Sequence, residues 1–569
     1  MQDVFLITIR RLRAPLILII LVFAFSTAGM ALIPGADPQG HPWRMSIFQA
    51  FYFVTYTATT IGYGEIPYPF TDQQRLFSTL IIYLLVIGWA YLVGSILSLT
   101  QDRTFQQALV GARFRRAVAS LSEPFYLVCG LGETGVTVVR MLDRLGFRFT
   151  AVDRDERRVQ ALELEQLSLD APVLYADVRS PETLAMAGLL KPECKAVLAL
   201  CSEDEANLGV SIAACLLRPG LPVIARADSP AMAASNSALG VYRVISPFRE
   251  FGERVALAMR APDTYRLLAW LTGAPGSHLP PSQPPRIPAA PGRWIVCGYG
   301  RYGREVGAAV QRAGFELAII DPSGAEIPGI ICVKALGAGA PELREVGVET
   351  ACGLFTGSDD DTANLAVAIA ARRLNPDIFI VMRQNLLSSE ILFARFGADM
   401  TLAPPQIMAT ECLALLRTPL LAEFLDLVRA KDNLWAYALA ESLRALVGEE
   451  APLFWSFAID DDEAPGLSDV MRRGKDALTI GDFSRSAHAR EERAPCLAVL
   501  LVRGRETVEL PGDEIDVRLG DRLLFAGRRA AKDNQSLTLS NANVAAYVLG
   551  DRRQAEGWIW RTFEKALAR

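Results

Sequence analysis

FYLVCGLGETG, Phe125–Gly135, returns later in the chain as RWIVCGYGRYG, Arg293–Gly303. Each copy is an apolar run that meets G-x-G-x-x-G and then an amphipathic stretch, the pattern of a strand turning tightly into a helix. A second apolar run ends in an acid in both, FTAVD at Asp153 and LAIID at Asp321, 23 residues beyond the first glycine each time. Further runs pair in the same order: AVLALC with CGLFTG, PVIARA with IFIVMR, and RVISP with MTLAP. Even the turn after the fourth run repeats, as SEDEANL and SDDDTANL. Strands alternating with helices through short connections predict a parallel, doubly wound α/β sheet in each copy.

A lone glycine motif is weak, but here it follows a strand, opens a helix and has its acid near the 20-residue offset of dinucleotide folds. Gly130, Gly132 and Gly135, and in the second copy Gly298, Gly300 and Gly303, let backbone approach a pyrophosphate. Asp153 and Asp321 are the acids suited to a ribose hydroxyl. The copies differ at the end of the third strand, where YADVRSPE carries Asp177 and KALGAGAPE has no acid. Arg301, inside the second glycine loop, is placed to meet phosphate. The competing reading is that either copy keeps its glycines only for tight strand–helix packing.

Ahead of the repeat, Ala14–Ile33 is 20 uncharged, mostly apolar residues and Leu76–Leu99 is 24. As helices rising about 1.5 Å per residue, each crosses a hydrocarbon core of roughly 30 Å. Arg10, Arg11 and Arg13 precede the first run, and Arg103, Arg113, Arg115 and Arg116 follow the second. Basic flanks place both chain ends on the cytoplasmic side of a cell (inner) membrane, crossed by two spans. A cleaved signal peptide fits less well, because its apolar core is shorter and a small-residue cleavage site is missing. Between the spans, Ser46–Thr57 is too short and polar to cross but suits a half-membrane pore helix. Re-entrant backbone of that kind must line a wet cavity.

In Thr60-Ile61-Gly62-Tyr63-Gly64 the two glycines supply left-handed backbone at alternate residues, so successive carbonyls point one way. Rings of such oxygens, from Thr60, Ile61, Gly62 and Tyr63 of four subunits, replace the water shell of a potassium ion. Two spans leave no room for an arginine-rich voltage sensor. Gly88 and Gly94 within the second span are hinge candidates, with small-residue helix packing as the alternative.

The net charge of −5 gives no sign of a nucleic-acid partner. Nine cysteines without C-x-x-C spacing and three scattered histidines argue for buried thiols rather than a metal centre. Acidic clusters at Glu203–Glu205, Asp359–Asp361 and Asp460–Glu463 supply oxygens that calcium prefers, although solvated turns explain them as well.

Residues 271–292 hold seven prolines in 22 residues, an extended linker between the copies. Pro247–Trp270 reads as helix, Gln406–Val447 as helices, and Leu497–Gly527 as a small β-rich lobe. The expected domains are a pore at 1–101 (spans 14–33 and 76–99, pore helix 46–57, filter 60–64), a linker at 102–122 and a first Rossmann copy with its helix at 123–270. The proline linker, a second copy at 293–447, a lobe at 448–535 and a tail at 536–569 follow.

Thr57–Gly64 resembles the potassium-channel signature T-x-T-T-[VI]-G-Y-G, with Tyr52 and Phe53 where that family has an aromatic cuff. Glu65 stands where the family commonly has Asp. With the two glycine motifs and the segment PGDE…LGDRLLFAG, the chain resembles prokaryotic two-span potassium channels with tandem RCK (TrkA-N) domains and a TrkA-C lobe. That resemblance implies a homotetramer in the lipid bilayer with a gating ring, regulated by nicotinamide or adenine nucleotides (ADP, AMP, ATP) or by divalent cations such as calcium. It also makes Arg226 and Arg383, ending the fifth strands, positions that approach ligand phosphates. The first copy, joined to the second span by the shortest stretch of chain, is the expected sensor, with NAD rather than NADP as its ligand. Two alternatives are a constitutive pore with scaffolding Rossmann domains and a membrane-anchored NAD-dependent oxidoreductase. The oxidoreductase leaves the filter motif unexplained, so the chain is read as a channel and not an enzyme.

Overall fold

The computed structural model describes all residues except 1, 67, 274–276, 279–287, 289–290, 325–326, 474–477 and 551–569. It forms two compact units, Met1–Ser120 and Leu121–Arg569.

In the first unit, the Thr8–Leu32 part of helix Gln2–Leu32 and helix Asp72–Gln101 are long and apolar enough to cross a membrane. Helix Ile47–Ala58 lies between them in sequence, started by a capping box in which Ser46 and Gln49 exchange hydrogen bonds. Thr71 and Gln74 start the third helix in the same way. The helices close around Met30, Ala50, Val54, Ile81 and Leu85, all buried. Gly29 is the close-packing glycine, since a Cβ there would lie 2.1 Å from the Phe77 ring. Gly88 and Gly94 differ, for a Cβ at either meets nothing within 4 Å in the chain. Arg11 pairs with Asp102 at 2.7 Å, tying the base of the first long helix to the end of the other. The expected linker after residue 102 is itself helical, Arg103–Ser120.

The second unit contains two six-stranded, all-parallel sheets. In the first, the strands run Val173–Tyr175, Arg148–Asp153, Phe125–Cys129, Cys194–Ala199, Val223–Arg226, Arg243–Ile245 across the sheet. The second sheet has the same order, from Ile331–Val333 through Arg293–Cys297 to Met400–Leu402. Order 3-2-1-4-5-6 opens a crevice beside the first strand, where the glycine loops lie.

The segment expected as one helix from Pro247 to Trp270 is two, Pro247–Arg260 and Pro262–Leu271. Pro262 lacks an N–H and disfavours helical backbone before it, so the break falls at Ala261. Each copy's exit helix packs on the other copy. Phe248, Phe251, Val255 and Ala258, which follow the first sheet in sequence, are buried in the second copy's core with Val306 and Phe355. Met408, Ala409 and Cys412 of helix Pro404–Arg417 are buried in the first copy's core with Val138 and Leu142.

The last lobe is a four-stranded antiparallel sheet in the order Leu453–Ala458, Arg522–Gly527, Cys496–Arg503, Glu506–Glu509. The tail expected from residue 536 is folded as far as 550, in helices Arg529–Ser540 and Ala542–Gly550. Leu539, Ala545 and Val548 are buried there, and Trp455 Nε1 donates to Gln535 Oε1 at 2.7 Å, so apolar burial holds these helices on the lobe. Residues 551–569 and most of the proline linker lie outside the described residues.

Candidate functional site

Two places concentrate unusual backbone and charge. At the end of helix Ile47–Ala58, φ is positive at Thr60 (59°), Gly62 (64°) and Gly64 (73°). Every second residue is therefore left-handed, which turns successive carbonyls to one side. Glycine does this freely, whereas a β-branched threonine pays roughly 1–3 kcal/mol for it. The sequence reading placed Thr60 in the filter but not its left-handed backbone, because its residue type argues against such a φ. Ile61 and Gly62 N–H both donate to the Tyr56 carbonyl, at 3.0 and 3.3 Å. Tyr52 Oη donates to Glu65 at 3.1 Å, and the Tyr56 and Tyr63 rings meet edge to face at 6.4 Å. Glu65 thus offers its carboxylate to the Tyr52 hydroxyl.

The second place is the crevice of the first Rossmann copy. Gly130 has φ 99°, and a Cβ there would lie 2.8 Å from Cys201 N. At Gly135 a Cβ would be 1.9 Å from the Gly130 carbonyl oxygen, so only glycine lets the helix start against the strand. Gly132, which lines the crevice, is the N-cap of helix Glu133–Arg144, and no side chain caps that helix end. Asp153 is buried at the end of its strand. One of its carboxylate oxygens accepts the Leu131 N–H, and the other accepts the Asp155 N–H at 2.7 Å. The acid therefore clamps the glycine loop as well as facing the crevice.

Three arginines line this crevice, each beside an acid: Arg154 with Glu203, Arg158 with Asp153 at 3.7 Å and Arg179 with Asp177 at 2.7 Å. Hydrogen bonding by Arg179 holds the Asp177 carboxyl below the usual carboxylate range. These pairs leave about 30 Å³ of open volume. Cys201 borders it, but burial pushes its thiol up to about 12, so it is no thiolate nucleophile at neutral pH.

The second copy repeats the loop and clamp. Gly298 has φ 89°, a Cβ at Gly303 would be 2.1 Å from the Gly298 oxygen, and Gly300 caps the helix. Asp321 accepts from Tyr299 N at 2.6 Å and from Ser323 N at 2.9 Å. Burial pushes the Asp321 carboxyl up, but the bonds from Ser323 and Tyr299 outweigh it and its pKa is lowered. Its loop residue Arg301, however, reaches the first copy. The guanidinium donates to Asp228 at 2.9 Å and lies 4.2 Å over the Phe248 ring. Arg226 grips the same Asp228 at 2.8 and 3.2 Å. Arg383 stacks 4.0 Å over Tyr302 and donates to the Gly357 carbonyl. The structure thus gathers Arg226, Arg301 and Arg383 at the seam of the two copies. Sequence reasoning missed Asp228 and Tyr302; their only signal is the DSP that follows the fifth strand and an aromatic in the glycine loop.

Among the described residues no group of three or more His, Cys, Asp or Glu side chains converges on a metal position. The acidic clusters hold turns instead. Asp204 accepts Asp228 and Ser229 N–H, Asp361 accepts Asn385 and Leu386 N–H, and Asp460 accepts Asp462 and Glu463 N–H.

Comparison with known proteins matches residues 17–102 to an ion channel family and residues 126–247 and 294–404 to the TrkA-N domain. Potassium channel protein 1 of Methanocaldococcus jannaschii is 24% identical over 258 residues, 45% of this chain and 72% of that protein. An uncharacterized Methanothermus fervidus protein is 25% identical over 248 residues, and the match covers 43% of this chain but only 36% of that longer protein. A GsuK channel structure bound to NAD aligns over 96% of this chain and 100% of its own, with 15% identity and a TM-score of 0.43. The chain joins one ion-channel domain to two TrkA-N domains and is homologous to potassium channel proteins.

Proposed function

We propose that this protein is a potassium-selective channel gated by a nucleotide bound to its first TrkA-N copy. The observation that carries the reading is the alternation of left-handed backbone at Thr60, Gly62 and Gly64, between two helices long enough to span a membrane. Four copies of this segment around one axis supply the carbonyl rings, from Thr60, Ile61, Gly62 and Tyr63, that a dehydrated potassium ion needs. The protein acts as a homotetramer in the cell (inner) membrane with both termini cytoplasmic. Gly88 or Gly94, where an added Cβ would meet nothing within 4 Å in the chain, serves as the bend of the inner helix. The final lobe corresponds to TrkA-C.

NAD is the ligand we favour, held by Gly130, Gly132, Gly135, Asp153 and Asp177. The crevice must open to admit it, and magnitudes favour that happening in the first copy. Arg154–Glu203 and Arg179–Asp177 are pairs with half-exposed side chains, and such pairs stabilise by only about 0–1 kcal/mol. Opening them is cheap, and both arginines then face phosphate. In the second copy Arg301 is already engaged by Asp228, so its loop is better suited to relaying a change between copies than to holding phosphate. ADP or another adenine nucleotide fits the same crevice chemically. Calcium has less support, since the acidic turns spend their oxygens on backbone N–H groups.

The test is potassium flux from protein reconstituted in vesicles, with and without NAD, ADP and calcium. Flux that responds to NAD supports the reading; a selective flux indifferent to all three leaves a constitutive pore with scaffolding domains.

A further inference from the structure

Each exit helix crosses the first helix of the other copy, so the seam contains two equivalent contacts, and they are not alike. Where Pro247–Arg260 meets Arg301–Arg312 there is a cavity of about 530 Å³. The matching place, where Pro404–Arg417 meets Glu133–Arg144, retains about 20 Å³. Superimposing the two glycine motifs, and RVISP on MTLAP, sets Ala309 against Met141, Ala313 against Leu145 and Ala256 against Leu413. Three small residues open one contact where three large ones fill the other. The cavity is therefore a property of this sequence, not of the fold.

Its polar lining is equally particular. Glu250 is 5% exposed and borders the cavity, at a position where the other copy has the apolar Ile407. Among the described residues its carboxylate receives no hydrogen bond; the nearest cation is Arg429 Nη2 at 3.9 Å. The arginines around the cavity are already occupied. Arg254 and Arg429 donate to Glu411, Arg260 to the Arg429 carbonyl and Arg312 to the Ala308 carbonyl. A buried carboxylate without a donor is costly. The cavity joins an apolar stretch, Leu257, Tyr265 and Leu268, to charged side chains that, Glu250 apart, already have partners, Glu253 pairing with Arg249 at 3.5 Å, and a volume of a few hundred Å³ with convergent polar groups suits a small molecule.

We propose that this cavity binds a small apolar molecule carrying an ammonium group, whose N–H donors meet Glu250 while its body lies against Leu257, Tyr265 and Leu268. The site is separate from the nucleotide crevice and does not depend on the channel reading. Burial and the neighbouring Glu411 charge raise the pKa of Glu250, and an ammonium brought beside it would favour the ionised form again.

The test is calorimetric titration of the full-length protein in detergent with three probes of one shape: cyclohexylmethylamine, cyclohexylmethanol and cyclohexanecarboxylate. The amine should bind saturably in the millimolar range or tighter, the alcohol more weakly and the carboxylate not at all. Glu250→Gln, nearly isosteric, should weaken the amine about tenfold or more and leave the alcohol unchanged. Ala309→Met with Ala313→Leu, which copies the filled contact, should abolish binding of both. Absence of saturable amine binding, equal amine affinity in Glu250→Gln, or preference for the carboxylate overturns the proposal.

Discussion

Arg254 donates to Glu411 at 3.0 Å, and the two occupy the same position in the two copies. In a pair of identical copies related by a two-fold axis, that position would face its own like charge. Two copies in one chain are free to diverge, and here one became a base and the other an acid. Glu411 also accepts from Arg429, so one carboxylate joins three helices. Burial pushes Glu411 up, but Arg429 and Arg254 outweigh it and its pKa falls below the ordinary value. Removing one member of a buried pair strands the other at a cost of about 3–5 kcal/mol. Glu411→Ala should approach that loss in denaturant unfolding of the full chain, and Arg254→Ala should cost less because Arg429 remains. An effect of Glu411→Ala within about 0.5 kcal/mol, the range of an ordinary surface substitution, would show that the seam does not need the charge.

Glu250 gives a pH signature of the opposite sign. Its folded pKa is raised by burial and by the neighbouring Glu411 charge. A carboxyl raised on folding favours the fold while protonated, and that contribution is lost as pH rises from the ordinary value of about 4.3 through the raised one. Glu250→Gln removes the loss, so at neutral pH the variant should be at least as stable as wild type, with the difference vanishing toward pH 4. Thermal unfolding from pH 4 to 8 measures it. A variant that is less stable at neutral pH means that Glu250 is ionised and well satisfied in the fold.

How much of this was legible beforehand divides by range. The glycine–acid spacing of Gly130 and Asp153 is local and covalent, so sequence shows it, and the same holds for Gly62 and Gly64. The exchange of exit helices is not local: the amphipathic face of Pro247–Arg260 says that it must be buried, but not on which copy. For the same reason Asp228 looks like a turn residue until Arg301 arrives from the other copy. The left-handed backbone of Thr60, a residue the filter motif itself points to, was hidden for another reason, because its residue type opposes the conformation it adopts.

The seam at Asp228 predicts an order of effects. Arg226 and Asp228 are mostly buried, whereas the Arg301 side chain is 64% exposed. Asp228→Ala should therefore destabilise by about 3 kcal/mol or more, leaving Arg226 buried and unpaired. Arg301→Ala should cost under about 1 kcal/mol. Unfolding midpoints decide between this order and its reverse, which would mean that the link between copies matters more than the bond within the first.

For the ligand, Asp153→Ala should weaken NAD binding and shift its dose–response curve, with ion selectivity unchanged. Because Asp153 also holds the Leu131 N–H, the variant should show faster hydrogen exchange at the glycine loop. Asp321→Ala should affect NAD less. If the response to NAD survives intact in Asp153→Ala and disappears in Asp321→Ala, the sensor lies in the second copy.

The central claim is that Thr60–Gly64 conducts potassium under nucleotide control. The most direct measurement is the reversal potential of reconstituted wild-type channels with potassium on one side and sodium on the other, taken before and after NAD reaches the TrkA-N domains. The account predicts a reversal far toward the potassium equilibrium potential, an open probability that changes with NAD, and loss of selective current in Gly64→Ala, where a side chain penalises φ 73°. A reversal near zero, or selective current that persists in Gly64→Ala, would contradict it.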